Sequence, residues 1–168
     1  MTDRIPFDGV LILGAGLTGL SAALAAAPRR ALVISTGALA QDCCSAWAQG
    51  GMAAALSAGD DPTLHARDTI DAGAGLVDPA MAELLTEEAP KAVKHLAALG
   101  APFDRDDHGG FHQGLEAAHS RARIAKVKGD QAGAAIMAAV IAAVQADPRI
   151  EVWTGARARR LLQDTTGR

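Results

Sequence analysis

The stretch that decides the fold runs from Val10 to Gly19 and reads VLILGAGLTG. Its first four residues are apolar, which predicts a short buried strand, and the alanine-rich segment from Leu17 to Ala27 predicts a helix. Between them, Gly14 allows a tight turn, Gly16 lets a pyrophosphate approach the main chain, and Gly19 lets the helix pack closely on the strand. The N-terminus of such a helix offers free N–H donors and a partial positive charge to an anion. The stretch therefore predicts a dinucleotide site.

A second apolar run, from Ala31 to Ser35, predicts a second strand soon after the helix. A strand, a helix and a strand in this order form a βαβ unit, whose strands are parallel and whose crossover is right-handed. Further strands are expected at residues 150–153 and 156–162. The expected fold class is α/β, a Rossmann-like domain with a parallel sheet.

The middle of the chain carries clear helix signals. Asp61-Pro62 and Asp78-Pro79 predict helix starts, because an acid before a proline caps the first turn. We expect the second of these helices to break or bend at Pro90. A short helix is expected within residues 52–57, and residues 101–129 are expected to form a loop.

Composition and charge exclude several function classes. The chain has 168 residues and a net charge of −3, which gives no electrostatic case for nucleic acid or an anionic membrane as a partner. No apolar run approaches the roughly 20 residues that span a bilayer, and the N-terminus does not read as a signal peptide. Cys43 and Cys44 are too few for a zinc site. His108 and His112 have a spacing that resembles that of metal ligands, but we expect no metal there. These features favour a reduced, cytoplasmic compartment.

The end of the second predicted strand argues against NAD as the ligand of the glycine turn. NAD-binding units usually place an acid there for a ribose hydroxyl. This chain has Ile34-Ser35-Thr36, with no acid and no arginine for a 2′-phosphate. Ser35 or Thr36 can still bond a ribose or phosphate. The glycine turn alone serves NAD, NADP and FAD proteins alike, so a second motif has to decide.

That second motif is Ser45-Ala46-Trp47-Ala48-Gln49-Gly50-Gly51. It resembles the Ala-Gln-Gly-Gly segment of the flavoprotein family that includes L-aspartate oxidase and the flavoprotein subunits of succinate dehydrogenase and fumarate reductase. Further stretches are similar to L-aspartate oxidases in particular, and together they cover nearly the whole chain: residues 65–69, 72–76, 100–104 and 114–124.

The resemblance implies an activity, a cofactor and partners. The L-aspartate oxidases of this family use noncovalent FAD to oxidise L-aspartate to iminoaspartate, which is the first step of bacterial NAD biosynthesis. Oxygen or fumarate takes the electrons, and quinolinate synthase consumes the product. Residues 1–168 are then the N-terminal part of the FAD-binding domain, without the capping domain and the C-terminal regions. The family's catalytic base lies in those regions, so no catalytic residue is assigned here.

The resemblance also implies which residues contact the cofactor. The glycine turn matches the pyrophosphate site, and the second motif lies along the flavin. Cys44 falls where succinate dehydrogenases carry the histidine that tethers flavin covalently, which favours a noncovalent oxidase. Trp47 is left open between stacking near the flavin and filling the core. The full set of expected cofactor residues is Gly14, Ala15, Gly16, Leu17, Thr18, Gly19, Ser35, Thr36, Cys44, Ser45, Ala46, Trp47, Ala48, Gln49, Gly50 and Gly51.

Glu116 matches a family glutamate that meets the amino group of the substrate, and His119 and Ser120 are expected beside it. A carboxylate pairs well with an ammonium, so this residue would select amino acids over plain dicarboxylates. Relatives often have two glycines where this chain has Ala117 and Ala118. The loop must therefore avoid positive φ at these positions or carry strain.

Two other functions stay open at this point. One is a flavoprotein of the succinate dehydrogenase or fumarate reductase type, against which Cys44 and Glu116 argue. The other is a non-catalytic FAD-binding module.

Overall fold

The computed structural model describes residues 5–41 and 43–162. It divides into two compact units, Met1–Ala46 with Val140–Arg168 and Trp47–Ala139. A 3-10 turn covers Cys44–Trp47. The helices and strands of the described residues are, in chain order, β1 (Val10–Leu13), α1 (Leu17–Ala25), β2 (Ala31–Ile34), β3 (Met52–Ala53), α2 (Pro62–Ala72), α3 (Pro79–Ala98), β4 (Gln113–Gly114), β5 (Ile124–Ala125), α4 (Ala132–Ala146) and β6 (Ile150–Trp153).

The first unit is built on a parallel sheet in the order β1-β2-β6. Ala31 of β2 lies opposite Val10 on one side and Ile150 on the other. The central strand is buried, and α1 packs on β1 and β2 with Leu20 and Ala23 turned inward. The predicted α/β class with a parallel sheet is confirmed.

The strand expected at residues 156–162 is wrong. Ala156 donates one backbone hydrogen bond to Ser35, 3.0 Å long, but no strand follows. Leu161 and Leu162 are 82% and 74% exposed, so this segment buries no apolar face that could hold it against the sheet.

One face of the same sheet is open. Leu11 and Leu13 of β1 are 54% and 49% exposed, and they line an apolar groove together with Leu32 and Trp153. Alternate residues of a strand point to opposite faces, so these leucines lie on the side away from the buried face.

The second unit contains a pair of packed helices, α2 and α3. Each begins as the sequence predicts. Asp61 caps α2 by accepting the Leu64 N–H at 3.0 Å, and Asp78 caps α3 by accepting the Ala80 N–H at 2.9 Å. A proline follows each cap, where the missing N–H has no helical partner to lose.

Of the two effects expected at Pro90, a break is wrong, because α3 runs through the proline without interruption, and a bend stays a prediction. Four of its residues on either side of the proline are buried: Ala82, Thr86, Val93 and Leu96. Their spacing keeps one face of the helix in the core over its whole length, and this packing outweighs the hydrogen bond that proline removes.

A small antiparallel sheet in the order β3-β5-β4 completes the second unit. Met52 lies opposite Ala125, and Gln113 lies opposite Ala125 on the other side. Two expectations are corrected here. Residues 52–53 form a strand where a short helix was expected, and the segment 101–129, expected to be all loop, contributes two strands.

Candidate functional site

The glycine turn has the geometry that the sequence predicts. Gly14 has a φ of +108°, and its N–H donates to the Ile34 carbonyl at 2.9 Å, which fixes the turn to the end of β2. A Cβ at Gly19 would overlap the Gly14 carbonyl oxygen, so only glycine lets α1 approach the turn this closely. Apart from Gly14 and its two chain neighbours, no atom of the described residues lies within 4 Å of the place that a Gly14 Cβ would take, which leaves open space beside the turn.

The N-terminus of α1 is suited to an anion. Gly16 is the residue before the first helical one, and it has no side chain to cap the free N–H groups. The first turn carries no acid either. Ser45 accepts the Leu17 N–H at 3.1 Å through its hydroxyl oxygen. The remaining N–H donors and the positive end of the helix dipole are available to a phosphate.

A cavity of about 290 Å³ adjoins this turn, within the first unit. Pockets for whole small ligands span about 300–1,000 Å³, so this one fits the phosphate and nucleoside part of a dinucleotide better than the entire molecule. Three segments line it: the turn after β1, the end of β2 with the residues that follow it, and the segment after β6. The lining residues are Leu13, Gly14, Ala15, Gly16, Ile34, Ser35, Thr36, Ala38, Ala40, Cys43, Ala156, Arg157 and Ala158.

The cavity lining includes some of the predicted cofactor residues and leaves out others. Thr36 is exposed at the wall, whereas the buried Ser35 uses its hydroxyl to donate to the Gly37 carbonyl at 2.8 Å. Cys43 lines the cavity, while the predicted Cys44 is exposed outside its lining. The sequence did not single out Cys43 or the residues 156–158 as cofactor contacts, because only the tertiary structure brings them to the glycine turn.

The second motif lies in the other unit from Trp47 onward. Gly51 has a φ of +113°, and a Cβ there would come within 2.5 Å of the Ala125 carbonyl oxygen. Glycine at this position is thus explained by the close approach of β5. Trp47 is 76% exposed, so the option that it fills the core is wrong. Gln49 and Gly50 are exposed as well and can contact a ligand.

Glu116, His119 and Ser120 lie together on one loop, residues 115–122, which joins β4 to β5. We call it the Glu116 loop. Its base is closed by the Arg123 N–H, which donates to the Gly114 carbonyl at 3.1 Å. The Glu116 side chain is 46% exposed and forms an ion pair with Lys126, whose Nζ lies 3.2 Å from Oε1. Lys126 reaches it across Gly114, where a Cβ would come within 2.9 Å of the lysine Cε.

The sequence left open whether this loop avoids positive φ at Ala117 and Ala118 or carries strain there. Ala118 has a φ of +69°, in the left-handed region that favours glycine. Ala117 is not among the residues with positive φ. The loop therefore carries strain at one of the two positions where relatives often have glycine.

A buried arginine lies beneath the Glu116 loop. Arg123 has no exposed surface, and it forms a bidentate pair with Asp60 through Nε and Nη2, both at 2.8 Å. Its Nη1 donates to Asp68 and lies 3.4 Å from Nδ1 of His119. Asp68 also accepts the N–H and the hydroxyl of Ser120, at 2.7 and 2.8 Å. The backbone N–H of Ser120 and the Arg123 guanidinium hold the pKa of the Asp68 carboxyl far below its usual range.

His65 completes this buried cluster. Its ring lies 5.4 Å from that of His119, and its buried Nδ1 has no hydrogen-bond partner among the residues that the structure describes. Burial lowers the pKa of His65, and the charge of Arg123 lowers it further. The imidazole is therefore neutral in the folded chain near pH 7. Beyond His119 and Ser120, this cluster could not be predicted from the sequence, because its members are far apart along the chain.

The histidines of the 105–112 hairpin do not gather around a common point. Asp106 instead accepts the N–H groups of His108 and Gly110, at 2.9 and 2.8 Å, and so shapes the turn. Among residues 5–41 and 43–162, no group of three or more His, Cys, Asp or Glu side chains could hold a metal ion. Over the same residues, no helix is long and apolar enough to cross a membrane.

Comparison with protein families places nearly the whole chain in one model. Residues 9–168 match the family described as FAD binding domain. The chain is 67% identical over 168 residues to an L-aspartate oxidase of Caulobacter vibrioides, covering 98% of this chain and 33% of the relative. It is 45% identical to an L-aspartate oxidase of Agrobacterium fabrum, covering 98% and 32%. The chain thus spans about a third of the length of the curated relatives it matches.

Solved structures share its fold. Sdh1 of Mycobacterium smegmatis in complex with UQ1 superposes with a TM-score of 0.80 at 30% identity, over 88% of this chain and 27% of that one. The FrdA chain of an E. coli quinol fumarate reductase reaches the same TM-score at 22% identity, over 88% and 26%, which shows the fold alone. The family match agrees with the sequence in pointing to FAD rather than NAD.

Proposed function

We propose that this chain, which belongs to the FAD binding domain family, is the N-terminal part of a flavoenzyme that oxidises L-aspartate to iminoaspartate. Its similarity to L-aspartate oxidases of several bacteria supports the substrate. The capping domain, the catalytic base and the groups that hold the substrate carboxylates then lie outside residues 1–168. The proposal includes a noncovalent cofactor, a cytoplasmic location, and consumption of the product by quinolinate synthase.

The first unit would hold the phosphate part of FAD. The Gly14–Gly19 turn presents main-chain N–H groups beside open space, and Thr36 lies at the wall of the adjoining cavity. The exposed residues from Trp47 to Gly50 would lie along the flavin. When bound, FAD supplies the acceptor for the hydride that leaves the aspartate Cα, and oxygen or fumarate then receives the electrons. The chain's own contribution is to bind and orient.

Glu116 carries the proposal. Its carboxylate is half exposed on the Glu116 loop and already pairs with an ammonium group, that of Lys126, at 3.2 Å. Exposed ion pairs of this kind contribute at most about 1 kcal/mol. A substrate ammonium can therefore replace the lysine or share the Glu116 carboxylate with it. Succinate and fumarate carry no ammonium. A carboxylate at this place therefore favours an amino acid over a plain dicarboxylate.

A succinate dehydrogenase or fumarate reductase function is the second candidate, supported by the likeness to Sdh1 of Mycobacterium smegmatis. Glu116→Gln in the full-length protein separates the two. The variant keeps the size of the side chain and removes its charge, so aspartate oxidation should fall by at least about tenfold in kcat/KM, the loss of one charged hydrogen bond. Fumarate reduction should change much less.

The matched control is Glu87→Gln, an exposed glutamate of α3, which should change neither activity. Equal losses of aspartate oxidation and fumarate reduction in Glu116→Gln would reject the role in ammonium binding. Succinate oxidation without aspartate oxidation in the unaltered protein would favour the second candidate.

A further inference from the structure

The Glu116 loop has few means of holding its shape. None of the side chains from Leu115 to Ala122 is buried, and Leu115 itself is 64% exposed. An apolar anchor is thus lacking in this loop. Its conformation depends on polar contacts and on the closure at its base.

The strongest of those contacts is made by Asp68 of α2. One oxygen of this carboxylate, Oδ2, accepts both the N–H and the hydroxyl of Ser120, at 2.7 and 2.8 Å. The His119 N–H, one residue earlier, donates to the Glu116 carbonyl at 3.3 Å. The path from Asp68 to the backbone of Glu116 is therefore continuous and short.

Arg123 in turn fixes Asp68. The guanidinium is buried and its other two nitrogens are paired with Asp60, which holds Nη1 beside Oδ2 of Asp68. Asp60 directly precedes the cap residue of α2, which ties the arginine to the start of that helix. Buried charges are stable only when they are paired in this way.

We propose that Asp68 is a positioning residue, which sets the conformation of the Glu116 loop through Ser120 and thereby orients the Glu116 carboxylate toward the substrate ammonium. The last step rests on the proposed function, whereas the control of the loop does not. The Asp68 oxygen that pairs with Arg123 also accepts both hydrogen bonds from Ser120, so Asp68 is a residue through which the buried cluster contacts the loop.

Hydrogen exchange tests the control of the loop without reference to activity. In full-length Asp68→Asn, the amides of residues 115–122 should exchange about tenfold faster, as expected for the loss of a hydrogen bond to a charged group. The amides of α3 should be unchanged. Asp71→Asn removes an exposed carboxylate from the same helix and serves as the control, with no change in either region. Unchanged exchange in the loop, or equal acceleration in α3, would overturn the proposal.

Kinetics test the effect on Glu116. Ser120→Ala should raise KM for L-aspartate with little change in FAD content, and Ser120→Thr, which keeps the hydroxyl, should restore it. Because Asp68 acts through Ser120, the double variant Asp68→Asn with Ser120→Ala should be no worse than the more impaired single one. Additive losses would mean that Ser120 contacts the substrate directly, and would overturn the positioning role.

Different results would contradict the proposed function and the positioning role of Asp68. If the unaltered protein oxidises no L-aspartate, the proposed function is wrong, and the exchange experiment still decides the role of Asp68. If Asp68→Asn does not fold, Ser120→Ala carries the same exchange test, because it removes one of the two bonds and leaves the buried charges paired. Unchanged loop exchange in that variant would also contradict the proposal.

Discussion

Ala118→Gly should stabilise the chain, although it removes a methyl group and adds backbone freedom. Ala118 has a φ of +69°, a conformation that costs an L-residue with a Cβ about 1–2 kcal/mol. Glycine has no such cost but loses about 0.5–1 kcal/mol more backbone entropy on folding. The difference predicts a gain of about 0.5–1 kcal/mol. For a chain of this size, that corresponds to a rise in Tm of roughly 1–4 °C.

Ala117→Gly is the matched control. It lies next to Ala118, is also exposed, and is not among the residues with positive φ, so only the entropy cost applies and stability should fall by about 0.5–1 kcal/mol. Urea unfolding followed by circular dichroism measures both changes. If Ala118→Gly proves no more stable than Ala117→Gly, the argument from backbone strain is refuted.

Three further predictions follow from single contacts. Gly19→Ala should destabilise by about 1–3 kcal/mol in urea unfolding, because the new Cβ overlaps the Gly14 carbonyl oxygen, whereas Ala22→Ser on the exposed side of α1 should cost less than about 1 kcal/mol; equal effects would contradict the close packing. Lys126→Met should free the Glu116 carboxylate and lower KM for L-aspartate in the full-length protein by no more than about fivefold, the worth of an exposed ion pair, and a rise in KM would show that the lysine assists binding. Stability should fall as the pH drops below about 6.5, because the pKa of His65 is lowered by burial in the folded state, so that the unfolded chain binds the proton more readily. The charged and titratable groups around that ring are Asp60, Asp68, His119 and Arg123. His65→Gln should flatten the pH dependence of urea unfolding between pH 7 and 5, and an unchanged slope would place the titration elsewhere.

The first unit could be predicted well because its signals are local. The turn from Gly14 to Gly19 and the runs at β1 and β2 each depend on residues adjacent in the sequence. The caps at Asp61 and Asp78 were predictable for the same reason. The prediction that failed in the first unit was the strand at residues 156–162, a segment in which no side chain is buried.

The second unit shows what a local pattern does not contain. Strands β3, β4 and β5 are each two residues long, too short for any periodicity. The ion pairs of Arg123 join it to Asp60 and Asp68, 63 and 55 positions away, and such pairing is fixed by tertiary structure alone. Glu116 could be identified as a candidate from the resemblance, but its partner Lys126 and its support from Asp68 could not.

The proposed function is that the full protein oxidises L-aspartate with a flavin bound partly by this chain. Anaerobic titration of the purified full-length protein with L-aspartate, followed by the absorbance of the flavin, measures this reaction. The flavin absorbance should be lost on addition of L-aspartate and not on addition of succinate, and it should recover when oxygen or fumarate is admitted. A purified protein without flavin, or a flavin that succinate reduces and L-aspartate does not, would show that the proposed function is wrong.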